Sequence, residues 1–330
     1  MASSDVPPFS IDEPRYDQST YYGRWRQFVE LVSPSALLLT QEDINGVRKT
    51  LEDYRQGHIK RGDKSDEELW EARRLYESVV HPQTGEVIPA IFRLSAFVPV
   101  NIPICAGMLL APPTLFNTVF WQWVNQSYNA GFNYANRNAS SEQDTSDIFK
   151  SYATASFVSC ATAVGLGKIV ETAKSLSPGM RSALRKTVPF IAVASAGAFN
   201  AVSMRFNEFV EGIDILDEEG EVRGRSVAAG RQSLGQVALT RVALPMPILL
   251  LPPYIIEGLN KARLMPKTKY PRLITEITVV TLCLWGALPA AVALFPQKGS
   301  ISADKVEDAF KNLTDRQGKR IEHFTYNKGI

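Results

Sequence analysis

The chain has 330 residues, with 36 Lys+Arg against 34 Asp+Glu and a formal net charge of +2. That balance excludes the polybasic footprint of a nucleic-acid binder and the acidic excess of a solvated disordered chain. The averages, 45% hydrophobic and 21% charged, resemble a soluble protein, but residues 1–95 carry 12 basic and 16 acidic side chains, and 43 consecutive residues between Arg93 and Arg137 carry none. The average hides a membrane protein.

Residues 1–94 read as a soluble helical region. The opening MASSDVPPFSIDEPRYDQ has neither a basic n-region nor an apolar h-region, so any targeting information is expected to be internal. Ile44, Val47, Leu51 and Tyr54 recur at helical spacing, with Thr40 as N-cap and Gly57 just beyond the end. Leu69, Ala72, Tyr76 and Val79 repeat the pattern behind a Ser65/Glu68 capping box. His81-Pro82 should stop that helix, because a residue before proline is pushed out of the helical region. The two helices are expected to pack together at the membrane face.

Residues 95–296 form the transmembrane domain, followed by a C-terminal tail at 297–330. A spanning helix needs roughly 17–25 mostly apolar residues, and the charge-free runs place five segments near 95–118, 150–170, 187–206, 237–257 and 274–296. The predicted fold is therefore all-α: a multi-pass helical membrane protein with about five spans, some broken by proline. Pro99, Pro103, Pro112 and Pro113 crowd the first span, and Pro245, Pro247, Pro252 and Pro253 the fourth. Each removes a helical hydrogen bond, a loss tolerated in a bilayer only where protein or a cavity re-satisfies the backbone.

Polar residues interrupt the apolar pattern. In FWQWVNQSYNAGFNYANRN (120–138), Gln122, Asn125, Asn129, Asn133 and Asn136 fall within an arc of about 80° at roughly 100° per residue. Amides supply donors and acceptors without a buried charge, so this face suits a substrate pathway. An interfacial or packing helix fits the same pattern, with Trp121, Tyr128 and Phe132 as its aromatic belt. Arg241, in the fourth span, is matched in geometry to a carboxylate or is able to snorkel to the headgroups. Arg205 and Glu208 are possible neighbours of Arg241, whereas Glu276 sits toward the opposite face and is not paired with it.

Basic residues cluster after the second span (Lys168, Lys174, Arg181, Arg185, Lys186) and after the fourth (Lys261, Arg263, Lys267, Lys269, Arg272). By the positive-inside rule these loops face the matrix or cytoplasm. An odd number of spans then places the N-terminus with them and the C-terminus opposite. Seven basic residues in the tail argue the other way.

No metal, cofactor or enzyme chemistry is expected. Cys105, Cys160 and Cys283 all lie in apolar segments, and His58, His81 and His323 lack ligand spacing. In Asp214–Gly220, placing Gly220 sixth in a calcium loop puts Ile215 first and Ser226 twelfth, neither a carboxylate, so a β-turn is expected. Gly165–Lys168 lacks the upstream glycine of a phosphate-binding loop.

Several stretches together resemble the sideroflexins, multi-pass proteins of the mitochondrial inner membrane. They are HPQTGE (81–86), FWQWVNQSYNAGFNYANRN (120–138), EGIDILDEEG (211–220), LTRVALPMPILLLPP (239–253), LPAAVALFPQ (288–297) and YNKGI (326–330). The start of the chain and its Pro-Met-Pro-Ile-Leu stretch look most like the fifth vertebrate subtype. The resemblance implies movement of a small polar carboxylate-bearing metabolite, serine-like in some members and citrate in the fifth subtype. Two positions depart from the family pattern: Gln83 after His-Pro, and Gly197 in place of an asparagine, with Asn200 one turn on. The expected function is transport by alternating access, with Asn200 and Arg241 joining the amide stripe. The expected partners are the metabolite, the bilayer and other inner-membrane proteins. The rival is a non-transporting structural or assembly protein of the same membrane, serving respiratory or iron metabolism.

Overall fold

The structure, a computed structural model, describes residues 6–60, 62–81, 84–136, 145–296 and 298–328. Gln83, Arg137 and the end of YNKGI lie outside the described residues.

Three helices make the N-terminal region: α1 (Tyr21–Leu31), α2 (Gln41–Arg55) and α3 (Asp66–Val79). Both expected starts are present. Thr40 and Asp43 form a capping box on α2, as do Ser65 and Glu68 on α3, each satisfying backbone N–H groups that the first turn leaves free. Leu51 of α2 packs with Leu69 and Trp70 of α3 around Phe9. Helix α3 stops at Val79; beyond it the Gly85 N–H donates to the His81 carbonyl (2.9 Å) and the Thr84 N–H to His81 Nδ1 (3.3 Å). The buried Arg93 joins this region to the membrane helices, its Nε donating to the Ile88 carbonyl (2.9 Å) and its guanidinium also reaching the Ala36 carbonyl (3.4 Å).

Helix α4 (Leu94–Leu110) runs through Pro99 and Pro103 and ends at Ala111, which is extended (φ −65°, ψ 148°) ahead of Pro112-Pro113. Helix α5 (Leu115–Ala135) then turns back along it. The expected span at 95–118 thus runs into a helical hairpin, since α4 ends where Ala111 is extended ahead of Pro112-Pro113, the conformation favoured before a proline. Asn136, at the end of α5, donates to the Phe92 carbonyl beside the start of α4 (2.9 Å). Gly107 permits the close approach of the two legs: a Cβ there would lie 2.1 Å from the Trp121 indole.

Helices lie at each of the remaining expected spans, all starting earlier along the chain and two of them, at 187–206 and 274–296, ending earlier as well. They are α6 (Thr145–Thr172), α7 (Pro178–Met204), the series α9 (Val227–Ala243), α10 (Met246–Leu249) and α11 (Leu251–Lys261), and α12 (Lys269–Leu282) continuing through a π-helical turn, Cys283–Ala287, into α13 (Leu288–Val292). Short α8 (Phe206–Glu211) follows α7. Four segments are long and apolar enough to cross a membrane, Phe149–Thr172, Pro178–Met204, Val227–Lys261 and Lys269–Val292, and Leu94–Leu110 is a shorter apolar helix. The fourth span breaks at Leu244-Pro245, where proline has no N–H to give. Val98 and Cys105 of α4 pack with Ile248, Leu249, Val280, Leu284 and Leu288 at the centre of the bundle.

The strands were not foreseen. β1 (Ile213–Leu216) and β2 (Val222–Ser226) form a hairpin; β3 (Lys298–Ser302) and β4 (His323–Asn327) come from the tail. They assemble in the order β2-β1-β4-β3, all antiparallel. Ile215, Ile301, Phe324 and Tyr326 share the inner face and bury against Ala229 of α9. The tail is therefore built into the molecule.

The hairpin also changes the parity of the chain path. Arg24 of α1 donates to the Ala293 carbonyl just past α13 (2.8 Å), and Arg205, just past α7, donates to the Lys328 carbonyl. The N-terminal region, the sheet and the tail therefore share one side. The basic loops after α6 and α11 stand on the other, where Lys186 pairs with Glu257.

Candidate functional site

Helices α5, α6 and α7 frame an open cleft of about 90 Å³ toward the side that carries the sheet and tail. Its polar lining comprises Gln126, Asn129, Asn133 and Tyr134 of α5, Ser151 and Tyr152 of α6, and Asn200 of α7. Ala130, Ala155 and Met204 add apolar wall. A cavity needs only about 10–15 Å³ of such volume to hold one water, so a small solute fits. Among the described residues no Asp, Glu, Lys or Arg lines it.

Three of the sequence-derived residues meet here. Asn129 and Asn133 lie one turn apart on α5, and Asn200 reaches the cleft from α7. Among the described residues these three amides make no hydrogen bond. They face the cleft with donors and acceptors unspent.

The other four lie elsewhere. Gln122 is buried one turn deeper, where its Oε1 accepts from Ser159 of α6 (2.7 Å). Asn125 is buried, and its Nδ2 has no partner. Asn136 is engaged in packing, donating to the Phe92 and Phe132 carbonyls (2.9 and 2.8 Å). Arg241 does not line the cleft; it is half-buried on α9 against Gly197, where an added Cβ would sit 3.4 Å from Arg241 Cβ. Arg241 makes no ion pair or hydrogen bond among the described residues. Its expected neighbours are otherwise engaged: Arg205 binds Glu208 through two nitrogens (2.7 and 2.6 Å). Glu276 pairs with Arg272 (3.1 Å), apart from Arg241 as expected.

Sequence reasoning missed Gln126 and the whole contribution of α6. Gln126 lies just outside the 80° arc, at i+4 from Gln122. On α6 the signal was a small-residue repeat, Ser151, Ala155 and Ser159, at i, i+4, i+8. Tyr152 is fixed by Trp123, whose Nε1 donates to its hydroxyl (2.8 Å), and by Ser127 (2.8 Å).

The acidic segment is a turn. The Gly220 N–H donates to the Asp217 carbonyl (3.1 Å), and Gly220 has φ +83°, a conformation that favours glycine. Carboxylate oxygens of Asp217, Glu219 and Glu221 lie within 4.8 Å of one another. Arg223 pairs with Asp217 (2.5 Å) and Glu221 (3.3 Å), while Arg316 pairs with Glu219 (3.2 Å). The negative charge is answered by protein.

Four apolar segments of spanning length, packed around a central core and beside a polar cleft, define a multi-pass α-helical membrane protein. Comparison with known proteins narrows that class. A family signature described as sideroflexins matches residues 10–330, and the chain belongs to the sideroflexin family. It is 41% identical to a sideroflexin of Dictyostelium discoideum over 330 residues, 100% of both chains. It is 41% identical to human sideroflexin-5 over 329 residues, 99% of this chain and 94% of the relative. Mouse sideroflexin-1 is 37% identical over 329 residues, 99% of this chain and 100% of the relative. No solved structure matches.

Proposed function

We propose that this protein is a mitochondrial inner-membrane transporter of a small polar, carboxylate-bearing metabolite, and that the cleft between α5, α6 and α7 is where the solute is held. The observation that carries this reading is the convergence of three unengaged amides, Asn129, Asn133 and Asn200, from two helices on one cleft. A polar solute entering a membrane must exchange its water for protein hydrogen bonds, and unspent amides meet that need.

The cleft supports a serine-like amino acid better than a tricarboxylate. Among the described residues its lining holds no cation, and several carboxylates leaving water require positive charge in return. Candidate sources of it within the spans are Lys150, next to Ser151 on α6, and Arg241 on α9. Alternating access would use the break at Leu244-Pro245 and the π-helical turn, where the backbone already departs from regular helix.

The test is uptake of labelled serine and labelled citrate into proteoliposomes holding only this protein. Saturable serine uptake is expected, and Asn129→Ala, Asn133→Ala and Asn200→Ala should each lower it by about tenfold, the worth of one hydrogen bond to a charged group. Normal uptake in all three variants removes the cleft from the pathway. No flux of either solute by correctly inserted protein favours the assembly-protein reading.

A further inference from the structure

Beside the cleft lies a buried relay that the transport reading does not by itself require. Ser159 of α6 is fully buried, and Gln122 and Gln126 of α5 are almost so, at 3% and 7% exposed. Gln126 Nε2 donates to Ser159 Oγ (3.2 Å), and Ser159 Oγ donates to Gln122 Oε1 (2.7 Å). A hydroxyl carries one proton. Once Ser159 spends it on Gln122, only its lone pairs face Gln126, and they bind an N–H of that amide rather than its oxygen.

Gln126 is therefore oriented. Its nitrogen is turned to α6, and its Oε1, free of any donor among the described residues, is left as the acceptor it offers the cleft. Tyr152 cannot supply the same function. Its hydroxyl accepts from Trp123, and because Ser127 Oγ donates to the Trp123 carbonyl (2.9 Å), the Tyr152 proton goes to Ser127.

We propose that Ser159 is a positioning residue for solute recognition, fixing the Gln126 amide so that its carbonyl oxygen receives the ammonium group beside the carboxylate of the bound solute. The proposal rests on the cleft being the solute site. It adds a preference: solutes bearing a donor beside the carboxylate bind better than those without one, and Ser159, which lies behind the wall, sets the difference.

The experiment compares serine with 3-hydroxypropionate, which lacks the ammonium group, in proteoliposomes of the full chain. The wild type is expected to favour serine in KM. Ser159→Ala frees the Gln126 amide to turn, and should raise the KM for serine about tenfold while leaving that for 3-hydroxypropionate within about twofold, with maximal rates little changed. Ser159→Thr keeps the hydroxyl and should restore the serine preference; it also decides the matter if the alanine variant fails to insert. A Ser159→Ala protein that transports with an unchanged KM ratio overturns the proposal, as does a threonine variant that inserts but has lost the preference. Wild-type protein that moves neither solute fails earlier, at the cleft itself, and removes both readings.

Discussion

Single residues set how closely the helices approach. Gly107 admits the Trp121 indole where a Cβ would sit 2.1–2.5 Å from three of its ring atoms. Gly107→Ala should therefore destabilise the α4–α5 hairpin by about 1–3 kcal/mol, the cost of overpacking a filled interface, and lower the thermal unfolding midpoint in detergent. An unchanged midpoint would mean that the two legs separate freely. Arg241 illustrates the opposite situation, a cation in a span with no partner among the described residues. If it supplies charge to an anionic solute, Arg241→Gln should lower uptake of an acid more than that of a neutral solute, whereas a snorkelling role predicts equal effects. Competition of the two solutes in one vesicle preparation separates these outcomes.

At the scale of elements, the side of the basic loops is tied together by Glu257 of α11, which binds Lys186 of α7 and Lys261 one turn on (2.8 Å). Lys186→Met and Glu257→Gln should each lower the unfolding midpoint, and the double variant should lower it by less than the sum, because one shared contact is lost twice. The β1–β2 turn carries a pH dependence. Burial alone would raise the Asp217 carboxyl, but N–H donors of Glu221 and Glu219 and the Arg223 guanidinium outweigh it and hold it below its ordinary value near 3.8. A depressed carboxylate contributes stability above its unfolded pKa, and that contribution is lost as pH falls through the folded value. Pulse proteolysis by pepsin between about pH 2 and pH 5 should release the hairpin progressively toward the acid end, and Asp217→Asn should flatten the curve. What was legible in the sequence divides along the same lines. Capping boxes and charge-free runs are local signals, so α2, α3 and the long spans could be read from neighbouring residues. The sheet could not: β1 and β4 are more than a hundred residues apart, and short strands such as IDIL and HFTYN acquire their inner face only when Ala229 and its neighbours cover it.

On the scale of the whole molecule, the return leg α5 predicts that the N-terminal region and the tail share one face of the membrane. Tags at the two termini should be cleaved together by a protease added to one face of the membrane, with the loops after α6 and α11 cut only from the other. Termini cleaved from opposite faces would contradict the path described. Half of the candidate cleft was visible beforehand as an amide stripe, because α5 has a strong helical period. The α6 half was not, because Ser, Ala and Tyr in an apolar helix look like ordinary packing until a partner stands opposite. The order β2-β1-β4-β3 has a further consequence, for the making of the protein. The central strand β4 is made more than a hundred residues after β1, so β1 has no neighbour on that edge, and β3 none at all, until β4 has been synthesised. A chain stopped just before His323 would carry every span and still present open strand edges and an uncovered Ala229 to whatever surveys newly inserted proteins. Closure of the sheet thus waits for a strand made after every span is already in place.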